Sequence, residues 1–397
     1  IEGQVGFGGA CGQVAQGVRA NNEPYIYTSY VARFSDAGVC QWIDTFKADD
    51  AWPVAVAVDA ALNFWVVGMF TSEVRFGPGF DLATAGNAHD VFIARYDDKG
   101  ALGWTQSITG PSDTWAYDVA LIEDGDGADA MVVGSFNDSV AIGGTNLTSA
   151  GGYDMLAVRY TAAGAVSFAR GFGGAGTDEL YAVVAVGPDV VAGGYFDSPT
   201  LEVGGIATLD NLGSYDAALI KLDGTGAPIW AQRFGGEGGD WISDLAATGS
   251  DVAVVGAFAG TMSVAGLPAL TSAATSAFIT RISGAGSGVG SHAVSSANGG
   301  ALFTSVRANA AGDLYVATVI DGDAAFGSTV ISPAAGAWSI VAARYAAGGS
   351  ETPLWTAQQD RSGQMTYPVL DLSDKHVVLS ADLMDNGGDM AFYGLCL

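Results

Sequence analysis

Apolar residues in this chain run in short stretches broken by glycine and aspartate, and the stretches recur in a fixed order. Residues 90–96 (Asp-Val-Phe-Ile-Ala-Arg-Tyr) lead to a basic residue, meet a turn at Gly100 and give way to a run opened by Trp104. The order returns at 154–160 with Gly164 and Phe168, and at 216–222 with Gly226 and Trp230. Looser copies lie at 30–34 with Gly38 and Trp42, at 276–282, and at 339–345 with Trp355. Six copies spaced by roughly 60 residues make a repeat architecture the first inference.

The segment between Trp42 and Trp104 gives the unit. Residues 53–59 are apolar on both faces, which predicts a buried strand. Asp50 before it is expected in a loop. Residues 64–70 form the second strand, and a longer connection carries Val74-Arg-Phe-Gly77. Residues 90–96 and 101–107 form the third and fourth. Four short antiparallel strands per repeat, the first the most apolar, is the grammar of a propeller blade. The expected fold is therefore all-β: a single six-bladed β-propeller over residues 1–397. Its blades span 53–108, 115–172, 179–234, 241–295 and 302–359. The sixth is a composite of 366–397 plus 1–47, with 392–394 read as a connection, so that strands from both termini close the ring and leave no free edge.

All three cysteines fall in the composite blade. A Cys11–Cys396 disulfide is expected where the chain ends overlap, with Cys40 free on the outermost strand. Cys11–Cys40 is the alternative pairing, and three reduced thiols the other. A bridge implies an oxidising compartment.

Glycine is frequent, at 58 residues against 11 prolines, and 49% of residues are hydrophobic, which describes a packed protein of short strands. The formal charge is −27, from 42 acidic and 15 basic residues. Such a surface repels nucleic acid and anionic lipid and suits divalent cations or a basic partner. No apolar run reaches the ~18 residues of a membrane helix. Ile1 is no initiator Met, so the chain reads as a mature or trimmed form.

The order Gly-Gly-x-Gly-x-Asp, apolar strand, Val-Val-Gly-x-Phe, Phe-Gly, Asp-x-Phe-Ile-Ala-Arg-Tyr, Gly, Trp resembles the bacterial β-propeller repeats often called SBBP repeats. Gly173-Gly-Ala-Gly-Thr-Asp178 and Gly235-Gly-Glu-Gly-Gly-Asp240 match best, with Val-Val-Gly-x-Phe at Val66, Val132 and Val254. The fifth unit and the composite blade match poorly. The resemblance implies a fold and an exported or cell-surface location, and no activity.

Three polar patterns remain. A basic residue ends each third strand: Arg33, Arg95, Arg159, Lys221, Arg281 and Arg344. They read as partners of nearby acids, or as a ring for an anionic ligand. Asp50, Asp113, Asp178 and Asp240 precede the first strands and cluster on one rim, where they cap glycine-rich turns or hold cations. Trp52, Trp115 and Trp241 follow three of them, packing between blades or meeting sugars. Asp124-Gly-Asp126-Gly-Ala-Asp129 sits in one hairpin with the alternation of a Ca²⁺ loop, though without a closing bidentate Glu. Asp124, Asp126 and Asp129 are the candidate metal ligands, and Ca²⁺ is the only cofactor considered. No nucleophile motif, P-loop, HExxH or CxxC is present, and three His leave little for His-based catalysis.

The expected function is a non-enzymatic binding or scaffold module in an extracellular assembly, with a protein or glycan partner at a rim or at the outer strands. The alternatives are a Ca²⁺-dependent carbohydrate- or phosphoester-acting enzyme using rim carboxylates, and lectin-like sugar binding. Equivalent shallow sites on several blades would favour the last.

Overall fold

The computed structural model describes residues 5–6, 13–14, 27–35, 39–84, 88–123, 127–296, 298–349, 351–362, 368–372, 376–382 and 390–396. Its regular structure is β throughout, and every strand pair is antiparallel. No helix among the described residues is long and apolar enough to cross a membrane. The chain divides into two compact units, residues 1–173 and 174–397.

In the second unit three sheets follow one another with the same strand order. Asp178–Val186, Asp189–Phe196, Asp216–Leu222 and Pro228–Gly235 make the first, each strand beside the next. Trp241–Thr248, Asp251–Phe258, Ser276–Ile282 and Gly288–Ser296 make the second. Ala301–Ala308, Leu314–Ile320, Trp338–Tyr345 and Trp355–Arg361 make the third. The first strands of successive sheets lie side by side, and apolar residues of adjacent sheets interleave between them. Phe234, Phe258 and Phe278 form such a core with Ile242 and Leu245. Asp244 adds a polar tie: its carboxylate accepts from Ser305 Oγ at 2.9 Å, Val306 N at 2.8 Å and Arg307 Nη1 at 2.8 Å.

The first unit holds one four-strand sheet of the same order, Thr114–Glu123, Ala128–Phe136, Asp154–Tyr160 and Val166–Phe172. A larger sheet precedes it, built from Tyr27–Phe34, Cys40–Val58, Phe64–Arg75, Asp90–Tyr96 and Leu102–Ile108. Here the expectation of a loop at Asp50 is corrected. Cys40–Val58 is one strand, in which Asp50 pairs with Thr71 beside a register shift. The reason is in the sequence: the other junctions carry glycine, whereas residues 40–58 contain none. On this strand Val54, Val56 and Val58 are 39%, 59% and 57% exposed, although the matching strands of later sheets are largely covered.

Two further differences concern the connections and the C-terminal strands. The link between second and third strands folds into its own small hairpin, such as Ser139–Ile142 with Thr145–Thr148, or Thr200–Val203 with Ala207–Asp210. In the C-terminal sheet Met390–Cys396 pairs along the whole of His376–Asp382, so 392–394 belong to a strand rather than a connection. Seven residues without a charge, Met-Ala-Phe-Tyr-Gly-Leu-Cys, suit an uninterrupted strand.

Cys40 is disulfide-bonded and buried, which corrects its expected freedom. Its bond takes one of the two sulfurs that the expected Cys11–Cys396 pair needed, since the chain has three cysteines. Cys11 lies outside the described residues, as do Asp124 and Asp126.

Successive sheets are joined at one end by a repeated contact. The Trp104 indole lies over the turn at Gly164 and donates Nε1–H to Ala162 O at 3.0 Å. Trp230 does the same at Gly286, donating to Gly284 O at 3.1 Å, and within the larger sheet Trp42 lies over the Gly100 turn. Gly164 has φ +84, and a Cβ there would stand 2.9 Å from the indole. We expect Gly205→Ala, at φ +75 in open space, to cost about 1 kcal/mol, the ordinary penalty of a left-handed residue. Gly164→Ala adds overpacking and should cost roughly 2–4 kcal/mol, read as a lower urea midpoint. Equal losses would show that the indole contact carries no stability.

Candidate functional site

The two ends of the sheets differ chemically. At the end where third strands finish, the basic residues meet internal partners. Arg159 Nε donates to Asp129 Oδ2 at 2.9 Å, with both side chains nearly buried. Lys221 pairs with Asp189 at 3.1 Å, and Arg344 with Asp313 at 2.6 Å. Each of these acids belongs to the first hairpin of the same sheet. Arg281 reaches the turn of the next sheet instead, donating to Ala347 O at 2.7 Å, and Arg33 donates to Asp98 O at 2.8 Å, in a later turn of its own larger sheet. Arg95 lies over the Trp65 ring at 5.0 Å. The repeated cations are thus sheet-to-hairpin and sheet-to-turn braces, and the indoles described above share their turns.

Asp129 belongs to this end. Its other oxygen accepts from Ala162 N at 3.1 Å, so both oxygens hold protein partners. Among the described residues no three His, Cys, Asp or Glu side chains converge as a metal site would need.

The opposite end carries the junction aspartates. Asp178 is fully buried and accepts from Gly174 N at 2.8 Å and Ser198 Oγ at 2.7 Å. Asp240, also fully buried, accepts from Gly236 N at 3.1 Å. Both cap the glycine-rich junctions that precede first strands. Asp216 lies against the same junction as Asp240: its carboxylate covers Gly235 and takes Arg233 Nη1 at 2.8 Å. Burial, then the neighbouring Asp216 charge, pushes the Asp240 carboxyl up to about 7. Burial raises Asp178 and Asp90 as well.

Asp113 is the exposed member, with a third of its side chain in solvent. It accepts from His89 N at 2.8 Å, His89 Nδ1 at 3.1 Å and Tyr153 Oη at 3.1 Å. Partial burial works to raise its carboxyl, but these hydrogen bonds together hold it below the usual range.

Aromatic rings stand beside these acids. In the first unit His89 lies between two indoles, 5.3 Å from Trp52 and 4.7 Å from Trp115 by ring centroids. Trp52 is 39% exposed, and His89, Trp115 and Tyr153 are half-buried. In the second unit Tyr181, Tyr195, Tyr215 and Trp241 form a row with successive centroids 5.6, 5.3 and 6.1 Å apart, all half-buried. Tyr181 donates its hydroxyl to Glu179 at 2.7 Å.

The backbone explains why these rings sit at the edge. Each first strand bulges just after the rim residue, opposite the glycine of Val-Val-Gly-x-Phe. A Cβ at Gly134 would collide with the Trp115 carbonyl, and one at Gly256 with the Trp241 carbonyl. Trp52, Trp115 and Trp241 were thus visible in the sequence, but the rings that join them were missed. A signal existed: the residue before the first Asp of the third strand is His89, Tyr153 or Tyr215 in three repeats.

No protein-family profile matches the chain, and no curated protein matches it. Among solved structures, a protein of unknown function from Dyadobacter fermentans aligns at 11% identity and TM-score 0.42, covering 88% of this chain and 98% of that one. The hemagglutinin-neuraminidase ectodomain of parainfluenza virus 5 aligns at 8% identity and TM-score 0.37, covering 87% and 79%.

A carboxyl whose folded pKa exceeds its unfolded value stays protonated in the folded state where the unfolded chain has already ionised. For Asp240, between 3.8 and about 7, the folded state binds the extra proton, so stability falls as pH rises through that window. Thermal unfolding from pH 5 to pH 8 should therefore show a falling melting temperature. Asp240→Asn should flatten the slope, with Asp178 and Asp90 supplying the remainder. An unchanged slope in Asp240→Asn would remove Asp240 as its source.

Proposed function

We propose that this chain is an exported or cell-surface, non-enzymatic binding and scaffold module. In this reading it is a six-bladed β-propeller of the SBBP type, with four antiparallel strands per blade and a ring closed by strands from both termini. Its partner, a protein or a glycan, meets the aromatic end of the blades. One observation carries the functional reading. The repeated cations at one end and the buried junction aspartates at the other are engaged with internal partners, whereas the rings beside those aspartates remain half in solvent.

Several features support the fold in this reading. The four-strand meander repeats with its first strands side by side, and partial sheets stand near both chain ends. The exposed Val54, Val56 and Val58 stripe is a face that a preceding blade covers in a closed ring. The bonded state of Cys40 suits an oxidising, extracytoplasmic compartment.

The competing reading is a hydrolase using rim carboxylates with Ca²⁺. It is tested by incubating the purified chain, with Ca²⁺ and with chelator, with p-nitrophenyl glycosides and bis(p-nitrophenyl) phosphate. We expect no turnover above buffer in either condition. Turnover lost in Asp113→Asn or Asp240→Asn would overturn the binding-module reading.

A further inference from the structure

Aromatic rows stand beside an acid in both units, with Glu179 at the strand position that Trp115 and Trp241 hold in their own sheets. In the first, rings 4.7–5.3 Å apart flank an acid that accepts a tyrosine hydroxyl, Tyr153 to Asp113. In the second, rings 5.3–6.1 Å apart flank an acid that accepts a tyrosine hydroxyl, Tyr181 to Glu179. The chain positions correspond: Trp52, Trp115 and Trp241 follow the junctions, and Tyr153 and Tyr215 precede third strands. Packing explains part of this, since stacked rings stabilise one another by about 1 kcal/mol. It leaves Trp52 39% exposed, on the same strand as the exposed Val54, Val56 and Val58.

We propose that each row, by itself, is a shallow subsite for a neutral glycan, an inference that rests on the binding-module reading and names its ligand class. A pyranose offers an apolar C–H face and a rim of hydroxyls. The C–H face matches the electron-rich face of an indole or phenol. Hydroxyls need charge-assisted acceptors beside the ring plane; Asp113, a third exposed, stands there, whereas Glu179 is buried against Tyr181. Asp113 suits this role in particular: hydrogen bonds keep it ionised, and Oδ2, which among the described residues takes only the Tyr153 hydroxyl, retains a second acceptor site, whereas Oδ1 holds both His89 contacts. The imidazole of His89 directs Nδ1 at Asp113, which leaves Nε2 on the far side of the ring for a further polar contact.

Charge selects the class of sugar. A chain with a formal charge of −27 and carboxylates at both rows repels uronate and sulfate groups, so neutral oligosaccharides are favoured.

The test uses the full chain with neutral β-linked gluco- and xylo-hexasaccharides, a uronic-acid hexasaccharide and a lysine-rich peptide as probes. Binding is read by tryptophan fluorescence and calorimetry. We expect a neutral oligosaccharide to bind and the uronic-acid chain to bind far more weakly. Trp52→Ala and Trp241→Ala should each weaken binding about fivefold or more, the value of one aromatic stack. Unchanged thermal unfolding in the same variants guards against misfolding. The proposal is overturned if no neutral oligosaccharide binds at millimolar concentration, or if both folded variants bind like the parent. It is equally overturned if the acidic chain or the peptide binds in place of the neutral sugar. Any of these failures leaves the non-hydrolytic reading intact, because that reading fails only on turnover.

Discussion

The indole over a glycine turn is the contact on which the repeat depends. A sheet buries one face against its own neighbour in sequence, and something must fix the distance and angle between the two. Trp104 and Trp230 do so twice over, by covering a turn that admits no Cβ and by donating to its carbonyl. Arg33, Lys221 and Arg281 deliver charge to the same kind of turn. Where the fourth strand lacks an aromatic residue, at Gly288-Val289-Gly290, the following turn at Gly349 has open space above it. The contact is therefore a property of the Trp and Gly pair, and its loss is visible in the weakest repeats.

This constraint divides the molecule by chemistry. Cations, hairpin aspartates and indoles at one end hold sheets together. At the other end the junction aspartates Asp178 and Asp240 cap glycine-rich turns, and their burial raises their carboxyls, whereas Asp113 stays partly solvated. The strand bulge opposite each Val-Val-Gly-x-Phe glycine then places an aromatic ring at that edge. The same residues that make the sheets regular thus leave one end of their strands free to differ.

Much of this was legible because each element carries a local mark. Third strands open on Asp in three repeats and carry a base near their ends, and most fourth strands carry an aromatic near their start, after a glycine turn. The failures were also local. Asp50 was expected in a loop because its homologous positions are junctions, but without glycine the backbone runs straight on as strand. The accessory hairpins gave only half their pattern, because their second strands are short and half polar. The pairing of Cys40 and the stacking of His89 between Trp52 and Trp115 join residues far apart in the chain, and no periodicity encodes such contacts.

The division of labour between the two ends is tested most directly by comparing one residue type in both places. Thermal or urea unfolding of Trp104→Ala and Trp52→Ala sets a clasp indole against a rim indole. The account predicts a loss of about 3 kcal/mol or more for Trp104→Ala, as for a packed aromatic, and about 1 kcal/mol or less for Trp52→Ala. Equal losses, or the larger loss at Trp52, would contradict it.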